Sequence, residues 1–469
     1  MKDFTKGSIP RQLLAFAVPL FIGNFLQTFI EAMNMFWVGR LLGHEAIAAV
    51  ATSLPILFFL ISCLIGLSVA ANIIVAQAYG AKDIKYMEKT FANSLLLSLA
   101  LCVLISAVGV VFSRQLLLLI NCPPEILPQA DSFFKVVILG LSFIFVYNWY
   151  SGIQRGVGDA KTPLYILMLN AALNLILVPL LVRRIGLNGA AIANIIAGAL
   201  SVLAGYFYAS RRNPFFNVRE WDFAVEWQII AKLFKIGVPA SLQMVIISFA
   251  GFAVMHIVNG FGAVVTAAAG IGQQCDQLAF LPAMSVGLAV TSMAGQNLSA
   301  GQDARVRETL KYGMLLSSAV SLVFTALIFS FPGEIAALFN RDEAAAAEII
   351  PHVVAYLRIV CFSYLAFAGV FSLMGVVRGA GDTVGILALS FISAVLFRVP
   401  LAWFLSSRTS LGERGIWVAI LATSYITLAL NYAYYRMGRW KDVKVLHRRL
   451  EPVQVRAMIE QAAERPAGV

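Results

Sequence analysis

Four polar side chains stand at helical spacing inside the first apolar run of the chain: Asn24, Gln27, Glu31 and Asn34, separated by 3, 4 and 3 residues. That spacing puts them on one face of a helix. A polar stripe on a membrane helix looks away from lipid, and an ionisable residue within it is a functional candidate. Glu31 falls roughly 10 Å from the far end of that helix, at about 1.5 Å per residue. Burial suits a lone carboxyl to carrying a proton. The same carboxylate with asparagine carbonyls offers oxygen ligands for sodium. The competing reading is a carboxylate near the surface that binds water or Arg40.

A second cluster lies far downstream. Gln273, Asp276 and Gln277 share a helical face, with Gln274 beside it. Arg398 and Arg358 are the cations within apolar runs that could meet Asp276. The expectation is a buried ion pair, and a substrate or ion site is the second reading. Asn148, Asn170, Asn174 and Asn194 add polarity to the first half, either as cavity lining or as hydrogen-bonding glue between helices. His256 is expected in the packed core.

These residues sit in a chain built for lipid. Of its 469 residues 60% are hydrophobic and 13% charged, and its mean hydropathy is +0.83. Soluble domains carry roughly 25% charged residues. Runs nearly free of charge fall at about 12–38, 46–78, 91–113, 133–154, 163–182, 188–210, 236–260, 264–296, 312–333, 349–375, 384–406 and 415–436. Each is long enough to span a bilayer, which takes about 20 apolar residues. The fold class is therefore all-α and integral to a membrane, with twelve transmembrane helices. Six form a first lobe (12–210) and six a second (236–436), separated by a hydrophilic linker (211–235) and flanked by a short start (1–11) and a basic tail (437–469).

Numbering the loops alternately puts Lys and Arg about three to one on the side that holds both ends, so both termini are expected in the cytoplasm. The net charge of +11 is then an orientation signal, and nucleic acid drops out as a partner. The five cysteines are scattered without CxxC pairs, which indicates neither a disulfide framework nor a metal site. With no phosphate loop and four histidines, neither an enzyme nor a bound cofactor is indicated. The apolar run after residue 11 is too long for a signal-peptide core and reads as a first membrane helix. Trp440, Lys441, Lys444, Arg448 and Arg449 mark the tail as a segment lying against anionic headgroups.

The two lobes are copies. Arg155, Gly156, Gly158 and Asp159 recur 223 positions later as Arg378, Gly379, Gly381 and Asp382. Val18-Pro19 recurs as Val238-Pro239, Gln77 as Gln296, and Gly186-xx-Gly189 as Gly412-xx-Gly415. Six helices per copy insert both copies the same way up, so a pseudo-two-fold axis along the membrane normal relates them and a site between them is expected. The glycine-rich turns are expected to be structural, with Arg and Asp clamping helix ends or each other.

In this frame the chain resembles the multidrug and toxic compound extrusion (MATE) transporters. The resemblance rests on Val-Gly-Arg-Leu-Leu-Gly (38–43), Ala-Gln-Ala-Tyr-Gly-Ala (76–81), Arg-Gly-Val-Gly-Asp (155–159), Leu-Asn-Gly-Ala-Ala-Ile-Ala (187–193), Gly-Gln-Asn-Leu-Ser-Ala-Gly (295–301) and Arg-Gly-Ala-Gly-Asp-Thr (378–383). It implies two lobes in a V and export of cationic or amphipathic small molecules across the cytoplasmic membrane by a monomer, driven by inward proton or sodium flow. It also marks Asn174 and Asn194 as cavity positions. The chain departs from the family pattern at acids often found there: Asn34, Val178, Ile247 and Phe367 stand in their places. Glu31 is the replacement the stripe offers. Two rival classes are a lipid or lipid-linked oligosaccharide flippase on the same frame, and a membrane scaffold without transport.

Overall fold

The computed structural model of the chain describes residues 2–212, 218, 221–338 and 343–443; the basic tail from 444 onward lies outside them. Among these residues the fold is helical throughout. The first half runs α1 (Ile9–Leu42), α2 (His44–Gly80), α3 (Ile84–Val111), the short α4 (Ser113–Leu119), α5 (Leu127–Gly156), α6 (Lys161–Ile185) and α7 (Leu187–Arg212). The second runs α8 (Trp227–Asn259), α9 (Ala263–Ser299), α10 (Asp303–Ser330), the short α11 (Pro332–Leu338), α12 (Glu343–Val360), α13 (Ser363–Gly379), α14 (Thr383–Phe391), α15 (Val399–Ser407) and α16 (Glu413–Met437).

Among the described residues, eleven helices are long and apolar enough to cross a membrane alone, α14 to α15 counting as one of them. The twelfth span is a bent pair, Ala347–Val360 and Ser363–Gly379, inclined at 46°. Between α14 and α15 the backbone opens into a π-helical stretch, Ile392–Arg398. Pro400 stands two residues beyond it. It has no N–H to return to the preceding turn, and a widened turn absorbs that loss. Pro19, Pro55, Pro179, Pro239 and Pro282 all lie inside helices, where neighbouring helices compensate.

The halves exchange parts at one end. Ile9, Leu13, Phe16 and Leu20 of α1 pack among α9, α10 and α13 residues such as Val290, Met293 and Leu373. Reciprocally, Ile229, Leu233 and Ile236 of α8 pack among Ile74, Phe91 and Ile153 of the first half. The pre-helix segments follow. Phe4 is fully buried in the second-half cluster and Trp221 is buried in the first.

The duplicated turns share one geometry. Gly158 (φ 79°) and Gly381 (φ 93°) both take the left-handed conformation that glycine adopts without strain. Asp159 then accepts from Lys161 N at 2.9 Å and Thr162 N at 3.1 Å, at the start of α6. Asp382 accepts from Gly385 N at 2.8 Å and caps α14. These carboxylates satisfy helix N-terminal donors. Of the two expected arrangements, the aspartates clamp the helix ends, and no Arg–Asp bond forms across either turn. Arg155 donates to Ser151 Oγ at 2.6 Å and Arg378 to Gln243 Oε1 at 3.1 Å, each one turn or more from the cap.

Candidate functional site

The two halves meet most closely at the end carrying both motif turns. Gln77 and Gln296 lie three residues from the ends of α2 and α9, Gly80 and Ser299. Each reaches across: Gln77 Nε2 donates to Gly379 O at 2.9 Å, and Gln296 Nε2 to Gly156 O at 2.9 Å. Both amides are buried. Backbones touch here as well. A Cβ on Gly80 would stand 2.1 Å from Gln296 O, and one on Gly66 2.3 Å from Gly237 O. Ser292 Oγ adds a bond to Asn72 Oδ1 at 3.2 Å.

Residues 2–7 form a strap over this seam. Lys2 N donates to Val157 O at 3.2 Å, and Lys82 Nζ to Asp3 Oδ2 at 2.8 Å, both on the first half. Phe4 N donates to Gln296 Oε1 at 3.0 Å, and Arg305 donates to the Phe4 and Gly7 carbonyls at 2.8 and 3.0 Å, on the second. Burial pushes the Asp3 carboxyl up, but hydrogen bonds from Lys82 and Thr5 and the Lys82 charge outweigh it and hold the group at about 2.

Towards the opposite end the polar stripe of α1 comes into play. Asn24 Nδ2 donates to Ser285 Oγ of α9 at 2.9 Å, and Asn34 Nδ2 to Asn194 Oδ1 of α7 at 3.1 Å. Gln27 and Glu31, between them on the same face, are exposed, with Gln27 as the hydrogen-bonding neighbour of Glu31. The stripe's two ends thus bind α9 and α7, with Gln27 and Glu31 between them. Glu31 lies eleven residues from Leu42, about 16 Å along the axis. It makes no ion pair among the described residues, and Arg40 instead sits over the Phe36 ring at 5.8 Å.

The other asparagines divide. Asn174 Nδ2 binds Asn170 Oδ1 at 2.8 Å and Asn170 O at 3.0 Å, leaving its own buried Oδ1 without a partner. Asn148 Nδ2 returns to Ile144 O at 2.9 Å within its own helix, so it does not join the stripe.

In the second half Gln273, Gln274 and Gln277 are exposed on α9, and Asp276 is half-buried. The expected ion pair is absent. Asp276 Oδ2 accepts from Tyr356 Oη at 2.6 Å and Oδ1 from Tyr364 Oη at 2.7 Å, both tyrosines buried on the bent α12–α13 pair. Arg398, at the end of the π-helical stretch, donates to Thr423 Oγ1 at 3.2 Å and lies over the Phe367 ring at 5.9 Å. Arg358 and His256 are exposed, contrary to expectation. The α12 face carrying Arg358 turns outward because Tyr356 and Leu357 take the inward positions. Tyr356, Tyr364, Ser285 and the strap residues carry no local signal, since their roles depend on which helices face each other.

The MatE family model matches residues 19–180 and 239–404. The chain belongs to the MatE family. The two matched segments begin 220 positions apart and end 224 apart, tracking the offset of the duplicated motifs. The "Probable multidrug resistance protein YpnP" of Bacillus subtilis is 34% identical over 450 residues, covering 94% of this chain and 98% of that one. The "Probable multidrug resistance protein NorM" of Thermotoga maritima is 24% identical, covering 94% and 95%. Among solved structures, an "Outward-facing conformation of a multidrug resistance MATE family transporter of the MOP superfamily" overlays this chain with a TM-score of 0.87 at 24% identity. That overlay covers 95% of this chain and 98% of the other. This likeness shows the MATE transporter fold of two six-helix lobes. Within the MatE frame, Gln77 and Gln296 cross where the two repeats meet, and Asn24 and Asn34 bind α9 and α7 farther along α1.

Proposed function

We propose that the chain is a secondary antiporter that exports cationic or amphipathic drugs or metabolites, exchanging each for inward protons or sodium by alternating access. Glu31 carries the reading. It is an unpaired carboxylate on a membrane helix, flanked by residues that bind α9 on one side and α7 on the other. An exposed acid at that depth belongs in water rather than lipid. Gln273 and Gln277 supply polar surface on the opposite half, and Asn34, Asn170, Asn174 and Asn194 line the near side. Asp276 is a second coupling candidate, held between two hydroxyl donors that accept either protonation state. A single free acid in the first half favours protons over sodium. The family's relatives named as multidrug resistance proteins support drug-like substrates.

In this reading the motif end faces the cytoplasm, where both termini lie, and the monomer is the working unit. The closed seam at that end with an open stripe beyond it fits a state open to the outside. The flippase reading loses ground because it calls for several cavity cations. Arg358 is exposed and Arg398 is engaged with Thr423 and Phe367. Dye efflux from inverted vesicles under proton and sodium gradients imposed separately tests the proposal. Efflux that follows one gradient supports antiport and names the ion. Efflux indifferent to both overturns it.

A further inference from the structure

The turn after α16 builds a cavity that transport does not use. Gly438 (φ 75°) ends the helix in the left-handed conformation, and residues 439–442 turn back as a single 3-10 turn. This drives Trp440 into the second-half core, where it is 2% exposed. Its Nε1 donates to Tyr435 O at 2.9 Å, and its ring stacks on Tyr435 with centroids 5.4 Å apart and planes at 13°. Beside this pair opens a cavity of about 320 Å³ between the first turn of α10 and the end of α16. Arg307, Arg436 and Lys441 border it, with Asp303 the one acid.

We propose that this cavity binds the phosphate of an anionic phospholipid headgroup. Three cations around a pocket with one acid leave an excess of positive charge, and guanidinium groups match phosphate oxygens in geometry. Basic pockets between transmembrane helices at the membrane surface are the expected sites for such headgroups. The stacked Tyr435–Trp440 pair, at the end of the last spanning helix, gives the pocket an aromatic wall of the kind that favours a membrane interface. Tyr432 and Met437 are exposed on the same last turns of α16, 49% and 66%, and offer an apolar track for acyl chains. A free phosphate would use the rim alone. A phospholipid uses both rim and track.

The site also touches the seam machinery. Arg307 is two residues from Arg305, which holds the strap through the Phe4 and Gly7 carbonyls. Occupancy would therefore steady the first turn of α10 from the side opposite the strap.

The test is native mass spectrometry of the full chain released from nanodiscs of equal phosphatidylglycerol and phosphatidylcholine. Phosphatidylglycerol should be retained preferentially by the wild type. Arg307→Gln and Arg436→Gln should each weaken that retention about fivefold, the worth of one surface cation near a headgroup. Arg408→Gln, at the other end of the bundle over the Trp403 ring at 5.6 Å, should retain lipid as the wild type does. Unfolding in lipid-free detergent, unchanged between variants, shows that a loss of lipid is not a loss of fold. Lys441→Gln serves as the replacement for any variant that unfolds early. Equal retention by all variants, or an equal loss in Arg408→Gln, would overturn the site. Full displacement of the lipid by excess inorganic phosphate would overturn the lipid as its occupant.

Discussion

Gln77 and Gln296, equivalent residues of the two repeats, each hold the other half's motif turn: Gln77 donates to Gly379 O and Gln296 to Gly156 O, both at 2.9 Å. In the proposed alternating access both bonds break together. Removing one amide leaves a buried carbonyl short of a donor, at about 1–3 kcal/mol. Gln77→Ala and Gln296→Ala should therefore shift the seam towards opening by about fivefold or more. The rate of labelling of a cysteine placed at the buried seam residue Ser292 by a membrane-impermeant thiol reagent reads this directly. Labelling as slow as in the parent would show that the seam does not rest on these amides. Both bonds stabilise the same closed form, so the double variant should open further than either single one.

Gly80 gives a steric counterpart. Its Cβ would meet the Gln296 carbonyl at 2.1 Å, a backbone atom that cannot swing aside. Gly80→Ala should hold the halves apart at this end, costing about 1–3 kcal/mol in the closed form. In the same labelling assay it should resemble Gln296→Ala. Closure as tight as in the parent would mean that the helices slide to accommodate the methyl group.

The Asp276 environment changes what its variants should do. Arg398 acts on Asp276 by charge from beyond ion-pairing distance, so Asp276→Asn removes a Coulomb partner without breaking a direct bond, and its carbonyl still accepts from a tyrosine. Tyr356→Phe and Tyr364→Phe are the more disruptive changes, since each takes a donor from a carboxylate, at about 1.5–3 kcal/mol. A double-mutant cycle of Asp276→Asn with Arg398→Gln, read by thermal unfolding, should give a coupling of about 0.5–1 kcal/mol, that of two charges interacting without a direct bond. A coupling of several kcal/mol would restore the ion pair as the better description.

The strap carries a pH prediction. Asp3 is held at about 2 against an ordinary 3.8, so its contribution is complete above the higher value and is lost only as pH falls through the lower. Asp3→Asn should lower stability by about 0.2–1 kcal/mol, the range for a pair whose lysine is largely exposed. That decrement should stay constant between about pH 5 and pH 8. A decrement that varies across this range, in unfolding scans at several pH values, would assign Asp3 a titration it does not have here.

Local pattern carried the fold, and facing carried the site. Apolar runs and repeat offsets are properties of short windows, so twelve spans and two copies could be read from the chain. Even the bent span registered as one run, 349–375, because a 46° break at Cys361–Phe362 leaves hydropathy unchanged. Asp276 looked for an arginine because charge complementarity was the only cue available. Its partners are tyrosines on a helix pair whose bend sets which side chains face inward. Phe4 sits in a short polar stretch that reads as a loose end, yet it is fully buried because α1 begins inside the second half. Gln77 and Gln296 showed as a repeat pair, but their role needed the crossing of the halves.

Glu31 makes the most direct claim on function. Its flanking stripe residues are spoken for, Asn24 by Ser285 and Asn34 by Asn194, and it alone remains exposed and ionisable on that face. Glu31→Gln keeps length, shape and the hydrogen bond with Gln27, and removes only the ionisable group on which the proposed coupling rests. Gradient-driven efflux should then fall to background in inverted vesicles, while substrate binding and thermal unfolding remain at parental values. Asn34→Ala, which breaks the link to α7 without touching the acid, should lower efflux partially and leave its dependence on the gradient intact. Active efflux at the parental rate in Glu31→Gln would remove the residue from the coupling step. Loss of sodium-driven but not proton-driven efflux would keep the residue and make sodium its ion, with the amide no longer able to supply the carboxylate ligand.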